Sequence, residues 1–145
     1  VEKLLDKKGQ MAPAWIVSKL ALLASVILIT GSIFIGGDYF SKYNAYEESR
    51  ALATSLANLI SSAASSTSNV AFNFTLPKDI HGFGYELRIN ATTKIVFVYL
   101  KGEYNGTYSG ASFIATINAV GQPYLPNTIL KILKTKDEII ISPLG

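Results

Sequence analysis

The pattern of hydrophobic and polar positions changes twice along this chain. Between Ala12 and Gly37 the only charged residue is Lys19, so a long uninterrupted apolar run follows that lysine. Beyond the run, apolar residues recur every three or four positions, which is typical of one face of a helix. After Ser68 apolar and polar residues alternate, which is typical of half-buried strands. The pattern therefore predicts a long helix followed by a β-domain.

The apolar run is long enough to cross a membrane as a helix. Its roughly 18 residues span about 27 Å, close to the ~30 Å thickness of a hydrocarbon core. The apolar region of a cleaved secretory signal is only ~7–15 residues long, so we expect this run to remain in the protein. Lysines precede the run, which favours an N-terminus inside the cell and a C-terminal domain outside.

The helix is expected to continue to about Ser65, because residues 38–66 contain no proline and many good helix formers. Gly36 and Gly37 are its weak point, since each glycine costs roughly 1 kcal/mol relative to alanine in a helix. We expect a bend, a local melt or a pivot there. One apolar face is expected to pack against the β-domain, and it consists of Ala45, Ser49, Leu52, Leu56, Leu59 and Ala63.

The alternating part predicts about six strands. The strand-like segments are VAFNFTL, YELRIN, KIVFVYLK, TYSGASFIATI and the two arms of ILKILKTKDEIIIS. KIVFVYLK is apolar on both faces and is expected to be a central strand, and Asn105-Gly106 after it predicts a two-residue hairpin. The fold class is therefore α+β, with a small antiparallel sheet or sandwich after the helix. The predicted divisions are a basic leader-like segment (1–9), the helix (10–66) and an extracellular β-domain (69–145).

The sequence offers little that could support catalysis. His81 is the only histidine and lies in a glycine-rich loop near Asp79, where a solvated loop histidine is the simpler interpretation. The chain has no cysteine, which excludes disulfides and thiolate metal sites. Its net charge of +3 is too small and scattered to favour nucleic acid binding. We predict that the protein is not an enzyme and uses no cofactor.

Three N-x-S/T sequences fall in the part of the chain that is expected outside the membrane. Their asparagines are Asn73, Asn90 and Asn105, each on a polar strand face or at a turn. Such sequences are weakly specific. Glycan attachment at one or more of them, and ordinary polar surface positions, are both compatible with the sequence.

Two stretches carry a resemblance to archaeal type IV pilin-like proteins, which have a class III signal peptide. The first is KKGQ, Lys7 to Gln10, a basic-glycine junction directly before the apolar helix. The second is the passage from SRALATSLANLISSA into FTLPKDIHGFGYELRIN. The resemblance implies that a prepilin peptidase cuts between Gly9 and Gln10, with Lys8 as part of the recognised junction. The glutamate near the mature N-terminus of bacterial pilins has no counterpart here.

The resemblance also implies how the chain would work. Subunits are first anchored in the membrane and then assemble into a helical homopolymer. Their apolar helices form its core, and their β-domains lie on its surface and carry any N-glycans. Small side chains allow helices to approach closely. The residues expected to pack in that core are Ala21, Ala24, Ser25, Ile27 and Gly31.

The sequence therefore predicts a structural subunit of an extracellular filament for adhesion or motility, with a membrane-anchored precursor. Its expected partners are other copies of itself, the membrane, the prepilin peptidase and the pilus assembly machinery, and not nucleic acid. The alternative is a membrane-anchored accessory protein with an outward β-domain, similar to an archaellum stator component that binds the surface layer.

Overall fold

The computed structural model describes the backbone of residues 2–144 and the side chains of residues 16–144. Its described backbone confirms the α+β fold, with one long helix followed by seven strands and a short 3₁₀ helix. The helix is α1 (Glu2–Ser65) and the 3₁₀ helix is Gly102–Tyr104. The strands are β1 (Ala71–Thr75), β2 (Tyr85–Asn90), β3 (Ile95–Leu100), β4 (Tyr108–Ser112), β5 (Ile117–Ala119), β6 (Ile129–Lys134) and β7 (Ile139–Pro143).

The strands form two sheets, with strand orders β1-β6-β7-β5 and β2-β3-β4. KIVFVYLK supplies β3, the central strand of the second sheet, as predicted. The predicted last hairpin is also confirmed, because β6 and β7 pair antiparallel. Among the described strands, β5 and β7 form the one parallel pair. The sequence predicted an antiparallel arrangement and did not include this pairing.

The seventh strand arises because TYSGASFIATI is not one strand. It divides into β4 and β5, which belong to different sheets. Between them Phe113 is buried, and the N–H of Ile114 donates to Ser61 Oγ at 3.3 Å. The chain leaves the second sheet here because the Phe113 ring enters the core, and a single alternating strand cannot reach both sheets.

The connection between β3 and β4 corrects the predicted two-residue hairpin. It begins with the 3₁₀ helix Gly102–Tyr104, and a turn at Asn105 and Gly106 follows. Asn105 has φ −56° and ψ 127°, and Gly106 has φ +94°, the geometry of a type II turn with glycine at the required position. The longer connection buries the ring of Tyr104, which packs 4.4 Å from the Phe83 ring.

The chain divides into two compact units, Val1–Phe40 and Ser41–Gly145. The second unit contains both sheets and the last part of α1, whose buried residues share one hydrophobic core with residues of both sheets. The predicted helix face is confirmed: Ala45, Ser49, Leu56 and Ala63 are buried, and Leu52 and Leu59 are partly buried. Three further positions widen the buried stripe, namely Ala53, Ala57 and Ile60.

Polar contacts hold the helix in register with both sheets. The hydroxyls of Ser49 on α1 and Ser109 on β4 form a buried hydrogen bond to each other. Near the end of the helix, Lys134 Nζ donates to the carbonyl oxygens of Ala64, at 2.9 Å, and of Ser66. A helix leaves its last carbonyls without intrahelical partners, and a lysine is a favourable group there. These bonds fix where α1 ends against β6.

Candidate functional site

The surface that most needs an explanation is the apolar helix of the first unit. Its large apolar side chains are between 51% and 77% exposed, on every side of the helix. Among the described residues, Ile16–Ser65 is the one helix long and apolar enough to cross a membrane by length and composition, and its most apolar 18-residue stretch has a mean hydropathy of 2.2. The exposed residues are Ile16, Val17, Leu20, Leu22, Leu23, Val26, Ile27, Leu28, Ile29, Ile33, Phe34 and Ile35.

The small residues predicted to pack in a filament core lie on this exposed helix. Ala21, Ala24, Ser25 and Ile27 are exposed, and Gly31 is partly exposed. A Cβ built at Gly31 meets nothing within 4 Å among the described residues, so another helix would find space there. Their packing against neighbouring subunits stays a prediction.

Two serines in the apolar run are compatible with an apolar environment. Ser25 Oγ donates to the carbonyl oxygen of Ala21 at 2.8 Å, and Ser32 Oγ donates to that of Leu28 at 2.7 Å. Each hydroxyl therefore satisfies its donor within its own helix. Without such a bond, a hydroxyl in a medium that cannot form hydrogen bonds costs several kcal/mol.

The glycine pair lies within continuous helix. The backbone is helical through Gly36 and Gly37, and a Cβ built at either position meets no described atom within 4 Å. The helix is not melted at this pair, and a bend or a pivot there stays a prediction. Two aromatic residues follow after Asp38, and Tyr39 is 75% and Phe40 70% exposed. Tyrosine is enriched where helices leave a bilayer.

The predicted processing site is the junction between the basic segment and the apolar helix. Lys8, Gly9 and Gln10 lie outside the residues whose side chains the structure describes. Cleavage between Gly9 and Gln10 stays a prediction.

All three sequon asparagines are exposed, as expected. Asn73 lies on β1, Asn90 ends β2, and Asn105 lies in the turn before β4. Asn90 Oδ1 accepts hydrogen bonds from the backbone N–H groups of Thr92, at 3.0 Å, and Thr93, at 2.9 Å. This turn holds the Asn90 side chain in one orientation.

The loop around His81 is organised by hydrogen bonding and charge. Asp79 Oδ1 accepts a hydrogen bond from the N–H of Gly82 at 2.8 Å, and His81 Nδ1 lies 3.6 Å from a carboxylate oxygen of Glu48 on α1. His81 itself has φ +51°, in the left-handed region. Across residues 16–144, no three His, Cys, Asp or Glu side chains come together in a way that could hold a metal ion.

Sequence reasoning missed an aromatic cluster on the outer face of the β2-β3-β4 sheet. The rings of Phe97, Tyr99 and Tyr108 contact one another, with centroids 5.7–5.9 Å apart. The available signal was the difference between the two faces of IVFVYL, because its buried side is aliphatic whereas its outer side is partly aromatic. The strand was interpreted only as apolar on both faces, so the aromatic character of its outer face was not recognised.

A row of charges borders the aromatic cluster. The carboxylate of Glu86 lies 3.1 Å from Lys101 Nζ and 2.8 Å from the Arg88 guanidinium. The hydrogen bond from Lys101, followed by that from Arg88, holds the pKa of Glu86 below its usual value. Arg88 also lies 5.8 Å from the centre of the Tyr99 ring, a cation–π distance.

No known family model, curated protein or solved structure is similar enough to this chain to count as a match. The assignment of function therefore rests on the residues and geometry of this chain.

Proposed function

We propose that the protein is a structural subunit of an extracellular type IV pilus-like filament that serves adhesion or motility. The observation that carries the proposal is the division of α1. Residues 16–40 expose apolar side chains on all sides, whereas residues 45–63 contribute a buried stripe to the core of the second unit. We call this unit, Ser41–Gly145, the β-unit. An exposed apolar helix attached to a folded head is what a helix-cored polymer requires of its subunit.

Assembly would exchange one apolar environment for another. Before assembly the helix is surrounded by lipid, and in the filament it is surrounded by the helices of neighbouring copies. Because lipid and helix are similarly apolar, close packing decides this exchange, and small residues such as Ala21, Ala24 and Gly31 permit close approach. The self-satisfied hydroxyl of Ser25 allows the same helix to lie in either environment.

The precursor would be anchored with its N-terminus inside the cell, and a prepilin peptidase would cut between Gly9 and Gln10. The assembly machinery would then take the processed subunit from the membrane. The β-unit would lie on the filament surface, where it could contact other surfaces.

A second candidate function is a membrane-anchored accessory protein with an outward β-unit, similar to an archaellum stator component. One observation favours it: the buried core residues of the second unit all come from residues 45–141. A head with a core of its own requires no neighbouring subunits in order to fold. An uncleaved leader and a monomeric anchored protein would support this function.

The main test is a charge placed in the exposed apolar helix. We expect Ile27→Asp to abolish filaments recovered by shearing, because a carboxylate there costs roughly 2.5–3.5 kcal/mol in an apolar environment. Circular dichroism of the β-unit should be unchanged. The matched control is Asn58→Asp, at an exposed helix position of the head, which should leave filaments intact. Normal filaments from Ile27→Asp would contradict the proposal.

Intact mass and N-terminal sequence, measured separately on sheared extracellular material and on membranes, distinguish the two functions. A chain that starts at Gln10 and is abundant in the sheared fraction supports the filament subunit. A chain that still carries residues 1–9 and occurs only in membranes supports the anchored accessory protein. If the uncut chain is found in sheared filaments, the polymer stands and the cleavage site is wrong.

A further inference from the structure

Two shallow grooves lie on the outer face of the β2-β3-β4 sheet and share a common wall. The larger has a volume of about 540 Å³ and the smaller about 330 Å³, and Arg88 and Tyr99 line both. These two residues are in cation–π contact with each other, with the guanidinium 5.8 Å from the ring centre. Phe97 forms part of the larger groove, so each groove offers an aromatic surface next to a charged group.

Each groove also contains a sequon asparagine. Asn90 lines the larger groove and Asn105 lines the smaller one. Asn73 is in neither, because it lies on β1 in the other sheet, where it pairs with Lys131. Two of the three sequons therefore lie beside the aromatic cluster, and the third is an internal control.

We propose that this face holds carbohydrate attached to its own chain, with N-glycans at Asn90 and Asn105 whose first sugar rings lie in the two grooves against Tyr99. The proposal rests on the proposed function in one respect, namely that the β-unit is outside the membrane. It goes further by assigning which sequons matter structurally and where their sugars lie.

The chemistry of attachment requires a lipid-diphosphate-linked oligosaccharide as donor. A bond forms between the asparagine Nδ2 and the anomeric carbon of the first sugar. The bond from that carbon to the lipid diphosphate breaks, and the diphosphate leaves with the bonding electron pair. Nδ2 gives one proton to a base of the enzyme that transfers the oligosaccharide. At Asn90 the side-chain Oδ1 is held by Thr92 and Thr93, so the reacting atom of the amide has a defined direction.

The surface suits a sugar ring for two reasons. One face of a pyranose is apolar and can lie on an aromatic ring, and its hydroxyl groups accept and donate hydrogen bonds. Arg88, Glu86 and Lys101 provide charged partners of both kinds beside Tyr99. A covalently tethered sugar has a high local concentration, so that weak stacking is sufficient to hold it.

The test uses the full chain, produced in eukaryotic secretory cells that attach high-mannose N-glycans, and solubilised in mild detergent. Peptide mass mapping measures occupancy at each sequon, and endoglycosidase release from the folded protein measures how accessible each glycan is. We expect release at Asn90 and Asn105 to be about fivefold slower than at Asn73, the scale of one aromatic contact. Tyr99→Leu should raise both slow rates to the Asn73 rate, and the control Tyr43→Leu should not.

A second measurement does not depend on a core change. Thr92→Ala removes the Asn90 sequon but keeps the Asn90 side chain and the backbone N–H groups that it binds. It should lower the Tm of the β-unit by about 3–6 °C through loss of the stacked glycan, whereas Asn73→Gln should change it by less than about 1 °C. Equal release rates at the three sequons, or slow release that persists in Tyr99→Leu, would overturn the inference.

The failure of this inference can be distinguished from failure of the proposed function. Occupancy at Asn73 without occupancy at Asn90 and Asn105 overturns only the inference. If all three sequons are unmodified, the inference is overturned, and the shearing test with Ile27→Asp still decides the proposed function separately.

Discussion

The two ends of α1 differ in how their apolar residues are distributed around the helix. From Ile16 to Ile35 large apolar side chains point in all directions and are exposed. From Ala45 to Ala63 the buried residues form one stripe, and charged or polar residues such as Arg50 remain exposed on other faces. A one-sided stripe can be covered by a single sheet, whereas an apolar surface on every side requires an environment that surrounds the helix.

This difference shows where each part of the helix finds its stability. The second part is stabilised within the chain, by a core that it shares with both sheets. The first part leaves its apolar side chains exposed, and the proposed function would surround them with lipid or with other copies. Substitutions in the two parts should therefore change different measurements, and three experiments can sharpen or break the comparison.

The largest effect is expected for Leu56→Ala in the second part. Leu56 is fully buried, so its truncation removes apolar burial and leaves a cavity, which together cost about 3 kcal/mol. Denaturant unfolding of the detergent-solubilised chain measures the loss. The matched control is Leu23→Ala in the first part, 60% exposed, which should change the unfolding free energy by less than about 0.5 kcal/mol. Similar losses for the two variants would contradict the comparison.

A smaller effect is expected for the serine hydroxyls. Ser49→Ala leaves the buried hydroxyl of Ser109 without its serine partner and should cost about 1–2 kcal/mol. The double variant Ser49→Ala/Ser109→Ala should cost less than the sum of the single changes, because both partners are removed together. In the first part, Ser25→Ala should be nearly neutral, since that hydroxyl bonds only to its own helix. Strict additivity in the Ser49–Ser109 cycle would show that the two hydroxyls are not coupled.

The smallest effect is expected for the ionisation of Tyr124, which changes stability only in alkali. Burial raises the pKa of Tyr124 to about 12, above its ordinary value of 10.0, and its hydroxyl donates to the carbonyl oxygens of Val120 and Ile141. The unfolded chain therefore loses this proton first, and the β-unit should lose stability as the pH rises from 10 towards 12. Burial also raises the pKa of Tyr85, which acts in the same direction.

Tyr124→Phe tests this pH dependence. It should reduce the decrease in Tm between pH 10 and pH 12. It also removes the hydrogen bond that the hydroxyl shares between two carbonyl oxygens, so it lowers the Tm at neutral pH. Tyr43→Phe, at an exposed ring, should retain the full decrease in Tm. If the Tm of Tyr124→Phe decreases between pH 10 and pH 12 as much as that of the unchanged protein, another group causes the pH dependence.

Local patterns were sufficient to predict the elements whose neighbours follow from periodicity. The helical face through Leu56, the strand YELRIN and the last hairpin all have a clear period of 3.6 or 2, and all three agree with the structure. The sequon asparagines were also correctly expected on the surface. In each case the information lies within a few residues of the element itself.

The errors occurred where distant residues decide the conformation. A two-residue hairpin was predicted between β3 and β4, but the structure has a longer connection there. The longer connection allows the Tyr104 ring to pack on Phe83, which belongs to an earlier loop. One strand was predicted where the structure has β4 and β5, because Phe113 is buried between these two strands. The aromatic cluster was missed for the same reason: Tyr108 reaches Tyr99 only when β4 pairs with β3.

The sequence by itself determined the long apolar helix, the change from helical to alternating pattern and the α+β class, because each depends on the order of side chains along a short segment. Tertiary structure alone decided the division of the strands between two sheets and the parallel pairing of β5 with β7. It also brought Asn90 and Asn105 into grooves that share Arg88 and Tyr99. Such arrangements depend on which buried faces fit together across the chain, and no local period encodes that fit.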